Sequence, residues 1–265
     1  MIDVGITRFI PTFFFKFPPM NIFTSLKRQI PNIITLGNLT CGVVACYMAS
    51  QGFLWQAAVY IIAGIFLDFF DGLAARLLGV ASPVGRELDS LADVVTSGVA
   101  PALILFEAIP EDPTWLYILS LAVFLMPAFA AYRLAKFNLD TRQNHSFLGL
   151  PAPSNALIWV GLALLSNNST YPPYLLLNNY FYVALIALSL ITDILMVSEL
   201  PMFSLKFNFN FKDLSWKTNR IQYIFLFGCV VIIALTRQWY AISLLILWYI
   251  LLSLFTQHKH QTDEQ

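Results

Sequence analysis

FLDFFDGLAAR, residues 66–76, lies inside the longer apolar run VYIIAGIFLDFFDGLAARLLGV, residues 59–80. An aspartate near the centre of a membrane helix costs about 2.5–3.5 kcal/mol on insertion scales. This stretch carries two, Asp68 and Asp71, one helical turn apart. Apolar length predicts a membrane span, and the paired carboxylates predict that one face of it serves something other than lipid.

The rest of the chain agrees with a membrane setting. Of 265 residues, 58% are hydrophobic and 11% charged, where a soluble domain carries about a quarter charged. Mean hydropathy is +0.70. Formal net charge is zero, which predicts no nucleic-acid partner. Cys41, Cys46 and Cys229 fall in apolar segments outside any CxxC or Cys/His pattern and read as packing residues. The histidines, His145, His258 and His260, have no ligand partner at helical spacing within an apolar segment, so no zinc site is expected.

Apolar runs predict an all-α polytopic membrane protein with eight spans, near 31–50, 54–78, 87–107, 114–136, 154–166, 179–197, 221–236 and 239–256. With the N-terminus inside, every one of the 15 basic residues except Arg237 falls in inner segments or on the helix ends bordering them. The positive-inside rule then places both termini in the cytoplasm. The expected organisation is an N-terminal arm at 1–30, a six-helix catalytic core at 31–197, and a cytoplasmic connector at 198–220. Two extra transmembrane helices at 221–256 and a polar tail at 257–265 complete it. The aromatic, proline-broken FIPTFFFKFPP does not fit a signal peptide. Met20 offers an alternative start, and residues 20–30 read as an interfacial amphipathic helix, with Ile22, Phe23, Leu26 and Ile30 opposite Lys27 and Arg28.

Asp68, Gly72, Ala75 and Arg76 share one helix face, bordered by Asp71. After a turn at GVASP, Gly85, Asp89 and Asp93 recur every fourth residue on the next helix. Two antiparallel helices joined by a short turn thus bring two carboxylate pairs to similar depth near one membrane surface. Four such groups repel one another until protons or a cation neutralise them. Oxygen-only ligands favour Mg²⁺ or Mn²⁺ over zinc, and two ions could brace a pyrophosphate during displacement. Gly72, Ala75 and Gly85 leave room for a bulky group, or serve close helix packing. Asn38 and Thr35, mid-span in the first helix, need polar partners: nucleotide, metal ligands or a neighbouring helix. Arg133 and Lys136, three residues apart, are candidates for binding a carboxylate or phosphate, or snorkelling anchors.

The run Asp68, Asp71-Gly72, Ala75-Arg76, eight residues, then Gly85, Asp89 and Asp93 resembles the signature DGxxAR, eight residues, GxxxDxxxD of the CDP-alcohol phosphotransferases, with the extra upstream Asp. Every signature position matches, and the likeness extends over roughly residues 20–200. IPNIITLGNLTCG (30–42), ELDSLADVVTSGVAPA (87–102) and AYRLAKFNLDTRQNHSFLGLPAPSNA (131–156) are similar to the phosphatidylserine-forming, membrane-embedded branch of that family. The resemblance implies a six-helix core in the prokaryotic cytoplasmic membrane, with the active site at its cytoplasmic face. It implies two Mg²⁺ or Mn²⁺ ions on Asp68, Asp71, Asp89 and Asp93, with Asp93 as general base, and a homodimer among membrane lipids. The implied substrates are CDP-diacylglycerol, near Gly72, Ala75, Arg76, Gly85 and Asn38, and L-serine, near Arg133 and Lys136. Other acceptors, glycerol 3-phosphate or an inositol phosphate, stay open. A cation or proton transporter is the reading from a different class, and the solitary Asp193 of the later half argues against its repeated sites.

Overall fold

The structure, a computed structural model, describes residues 22–139, 147–166, 178–202, 220–238 and 240–263. Most of the N-terminal arm, residues 203–219 of the connector and the last two residues of the tail lie outside the described residues.

The described chain is helical apart from one two-residue antiparallel bridge. The helices are α1 (Ile22–Ser50), α2 (Leu54–Leu78), α3 (Pro83–Asp93), α4 (Ala100–Glu107), α5 (Thr114–Ser120), α6 (Leu125–Leu139), α7 (Ala152–Ser166), α8 (Asn179–Val197), α9 (Arg220–Thr236) and α10 (Ala241–Asp263). A π-helical turn, Val94–Val99, joins α3 to α4, and a 3₁₀ turn, Leu121–Phe124, joins α5 to α6. Five rods among the described residues are long and apolar enough to cross a membrane: Gln29–Ser50, Leu54–Leu78, Pro83–Glu107, Thr114–Leu139 and Asn179–Val197. Three shorter apolar helices, Ala152–Leu164, Ile221–Thr236 and Ala241–Phe255, correspond to the remaining predicted spans. The chain is thus an all-α, polytopic membrane protein.

Several boundaries differ from expectation. Residues 22–30 run as one continuous helix into the first span, whose apolar stretch begins at Gln29, with Pro31 inside α1. Pro31, the tenth residue of α1, gives up one i→i−4 bond and crowds the residue 27 carbonyl, a cost the helix carries without ending there. The third rod starts at Pro83, four residues earlier than predicted, because Ser82 caps it: its hydroxyl accepts from the Gly85 N–H at 3.0 Å. At the other end of the chain, α10 runs through the expected polar tail as far as Asp263.

Two backbone features set the geometry of the helices that carry the acidic residues. Gly79 adopts φ +62°, and N–H groups of Gly79 and Val80 return to the carbonyls of Arg76 and Ala75 at 3.2 and 3.0 Å. This glycine end-cap stops α2 abruptly, so that α3 begins only a few residues later. In the third rod, Pro101 has no N–H to give Ser97. The helix widens just before it, and Ala100 N–H reaches back five residues to Val95.

Packing divides into two clusters. One joins α1, α2, α4 and α7, and seven of its twelve buried members are alanine (among them Ala45, Ala57, Ala100 and Ala156), so the backbones approach closely. The other uses larger side chains, including Leu105, Met126, Trp159, Met196, Tyr249 and Ile250. It draws α10 into the same core as α4, α6, α7 and α8. Ser243 of α10 also donates its hydroxyl to the Ile158 carbonyl at 2.5 Å.

A tight junction near the acidic residues is Gly64. A Cβ there would lie 2.6 Å from Thr96 Cγ2 and 2.9 Å from Asn38 Oδ1. Gly64→Val should therefore force α1, α2 and the third rod apart at a cost of about 1–3 kcal/mol. A melting-temperature measurement on the solubilised protein checks this; an unchanged value would mean the junction is not close-packed.

Candidate active site

The short turn after Gly79 sets α2 and α3 side by side, and α1 packs across both. Asp71 comes from α2 and is buried; Asp68, one turn earlier, and Asp89 of α3 are half-buried. One oxygen from each of Asp68, Asp71 and Asp89 lies within 4.8 Å of the others. Asp93, 7% exposed, ends α3 one turn beyond Asp89. Three of the four predicted acidic residues therefore converge, and Asp93 follows on the same helix as Asp89. Asp89 Oδ1 is buried and has no hydrogen-bond partner. A hard divalent cation fits this set: three convergent carboxylates, one holding an orphaned oxygen, with no sulfur or imidazole among the grouped ligands.

Polar groups of α1 approach two of these carboxylates. The Thr35 hydroxyl donates to Asp71 Oδ2 at 2.5 Å, and Asn38 Nδ2 donates to Asp93 Oδ1 at 3.3 Å. Asn38 is fully buried, and its backbone carbonyl accepts from Thr96. Of the partners considered for Asn38, the structure shows an acidic side chain and a neighbouring helix.

A cavity of about 160 Å³ opens between α1, α2 and α3. Asp71 and Asp89 line it, together with Gly72, Ala75 and Gly85, Asn32 and Thr35 of α1, and Arg86. A Cβ added at Gly72 would meet nothing within 4 Å, so this glycine opens space instead of admitting a helix of the same chain. Gly85 is tighter, with a Cβ 3.1 Å from Ser82 Oγ and 3.2 Å from Asn32 Oδ1.

The predicted basic residues separate. Arg76 is exposed and folds onto its own helix, its Nε donating to the Gly72 carbonyl at 3.0 Å. Arg86, not singled out as a site residue, borders the cavity instead. The available signal was its position three residues before Asp89, on one helix face. Arg133 of α6 stands within electrostatic reach of Asp93. Its buried Nε has no hydrogen-bond partner, and its guanidinium lies 5.7 Å from the Phe137 ring centroid. Lys136 does not share that arrangement: its ammonium is paired with Glu199 at 3.0 Å. Asn138, further along α6, donates to Ser90 Oγ at 2.9 Å and ties α6 to α3 beside Asp89.

A cavity lined by two carboxylates of the acidic cluster and by the guanidinium of Arg86 has the chemistry to hold a metal-bound phosphate ester. Residues 28–193 match the sequence family described as CDP-alcohol phosphatidyltransferase. The chain is 38% identical over 149 residues to the CDP-diacylglycerol–serine O-phosphatidyltransferase of Bacillus subtilis, covering 56% of this chain and 80% of that protein. It is 30% identical over 205 residues to the protein of that name from Helicobacter pylori, covering 77% and 81%. For the one from Methanocaldococcus jannaschii the figures are 33% over 165 residues, 62% and 72%. The chain belongs to the CDP-alcohol phosphatidyltransferase family.

The open space at Gly72 makes a clean test. Gly72→Leu should shift stability by no more than about 0.5 kcal/mol, as for an unpacked surface position. It should weaken CDP binding in the presence of Mn²⁺ at least tenfold, read by calorimetry. Unweakened binding would show that the cavity is not the nucleotide site.

Proposed function

We propose that this chain transfers the phosphatidyl group of CDP-diacylglycerol to the hydroxyl of L-serine, giving phosphatidylserine and CMP. The observation that carries the reading is the convergence of Asp68, Asp71 and Asp89, with Asp93 one turn on, beside a cavity that Gly72 leaves open. The names of the curated relatives support serine as acceptor.

Asp68, Asp71 and Asp89 would hold Mg²⁺ or Mn²⁺, with Asp93 completing a set sufficient for two ions. Bound metal would neutralise the diphosphate and stabilise the CMP leaving group. The chain's own residues do the rest. Gly72, Ala75 and Gly85 make room for the donor, and Arg86 faces its phosphates from the rim. Asp93 accepts the serine hydroxyl proton as the oxygen attacks the phosphatidyl phosphorus. The bond from that phosphorus to the bridging oxygen breaks, and CMP departs with the oxygen. Asn38 holds the Asp93 carboxylate in place for this step. Arg133, with an unpartnered buried N–H beside Asp93, binds the serine carboxylate. Lys136 serves α6 through Glu199 and has no part in the acceptor site in this scheme.

The distribution of basic residues supports catalysis at the cytoplasmic face of a prokaryotic membrane, both termini inside, as does the location of the acidic pairs near that face. A core of residues 31–197 with the α9–α10 pair added behind it, assembled as a homodimer, accords with the family resemblance. The two acyl chains reach the site laterally from the bilayer.

Purified protein given CDP-diacylglycerol and Mn²⁺ should release CMP with serine and not with glycerol 3-phosphate or inositol phosphate. Release with one of the other acceptors alone would move the chain to a different branch of the family, and a transporter would release none. Asp93→Asn should lower kcat about 10²–10⁴-fold, the usual worth of a positioned general base. Arg133→Ala should raise the KM for serine about tenfold or more while leaving that for the donor unchanged, as expected for a lost charge-assisted contact. A donor-specific defect instead would place Arg133 on the phosphates.

A further inference from the structure

Two threonines of α1 differ in what their hydroxyls do. Thr40 is exposed and donates only to the carbonyl of Leu36, in its own helix, at 2.8 Å. Thr35 is 3% exposed, and its hydroxyl faces two acceptors: the Pro31 carbonyl at 3.0 Å and Asp71 Oδ2 at 2.5 Å. A threonine hydroxyl has one proton to give. The Pro31 carbonyl already accepts the helical N–H four residues on, whereas an ionised carboxylate is the stronger acceptor and is nearer. The proton therefore belongs to Asp71.

That bond fixes a side chain which would otherwise swing. Asp71 is 5% exposed and faces Asp68 and Asp89, both negatively charged when ionised. Repulsion from them favours rotating Asp71 out of the cluster, and on its own helix only the backbone N–H of Gly72 and packing oppose this. The hydroxyl comes from α1, so it holds Asp71 from outside the acidic helices. We infer that Thr35 is a positioning residue: it orients the Asp71 carboxylate so that the site binds its metal, without being a metal ligand itself. The inference rests on the reading of Asp68, Asp71 and Asp89 as metal ligands.

Its test is Mn²⁺ binding to the full-length, detergent-solubilised protein without substrates, followed by electron paramagnetic resonance of free Mn²⁺. Outer partners of metal ligands are worth about 10–100-fold in affinity, so Thr35→Val should weaken Mn²⁺ by that factor. Thr35→Ser, which keeps the hydroxyl, should stay within about threefold, well inside that range. Thr40→Val should bind like wild type. Excess Mn²⁺ should restore turnover to Thr35→Val, which a merely structural defect would not allow. Should the valine variant fail to purify as a single species, Thr35→Ala read against Thr35→Ser makes the same comparison. Wild-type affinity in Thr35→Val, or Thr35→Ala in its place, overturns the inference and leaves the metal site standing. A wild-type protein that binds no Mn²⁺ overturns both.

Discussion

Mutual repulsion among carboxylates in an apolar slab is the constraint on which the rest of this structure depends. Two unit charges about 4 Å apart interact by roughly 4 kcal/mol at an effective dielectric of 20. The grouped oxygens of Asp68, Asp71 and Asp89 lie within 4.8 Å of one another, and Asp93 is close behind. Such a set opposes the fold until protons or a cation neutralise it. The acidic cluster is thus a point of stored instability that binding relieves, and the surrounding helices must hold it together until then. Rigidity here comes from small residues. The alanine-rich contacts of α1 and α2 with α4 and α7, and Gly64 against Thr96 and Asn38, leave the backbones little freedom to part.

The same constraint explains why the polar residues of α1 face inward. In a bilayer, Thr35 and Asn38 gain nothing from lipid and must find partners in protein. They find Asp71 and Asp93, one acidic residue from each helix of the pair. The first helix therefore acts as a strut spanning α2 and α3, where the sequence suggested only a buried threonine and amide in need of bonds. The π turn after Asp93 works in a similar way. It lets the third rod pass Pro101 while Thr96 keeps its contact with the Asn38 carbonyl.

Much of this was legible because the spacings are rigid. Asp68, Gly72 and Ala75 fall on one helix face, Gly85, Asp89 and Asp93 on another, and a glycine-containing turn of fixed length relates them. Such patterns survive any reasonable error in helix ends. What escaped depends on choices made by long or flexible side chains. Arg76 and Arg86 stand on adjacent helices near the same turn; only rotamers decide that one folds back onto a carbonyl while the other borders the cavity. Lys136 found Glu199, which is 63 residues away in sequence and invisible to any local spacing rule. The continuity of α1 through Pro31 and the extension of α10 into a charged tail reflect tertiary and helical context overriding breaker and composition signals.

An in-line displacement imposes a last geometric demand on the reaction proposed here. The attacking oxygen and the leaving oxygen must stand on opposite sides of phosphorus, so the acceptor hydroxyl and the departing CMP need separate places around it. The residues are arranged to respect this. Asp71 and Asp89 line the cavity assigned to the donor. Asp93, one turn further along α3, is instead held by Asn38 and faces the charge of Arg133 from α6. In the proposed scheme a single helix, α3, carries one carboxylate for the donor and the next for the acceptor, separated by four residues of rise, about 6 Å. The step of four residues from Asp89 to Asp93 keeps both on one helix face, whereas a step of five would turn the second carboxylate away from it.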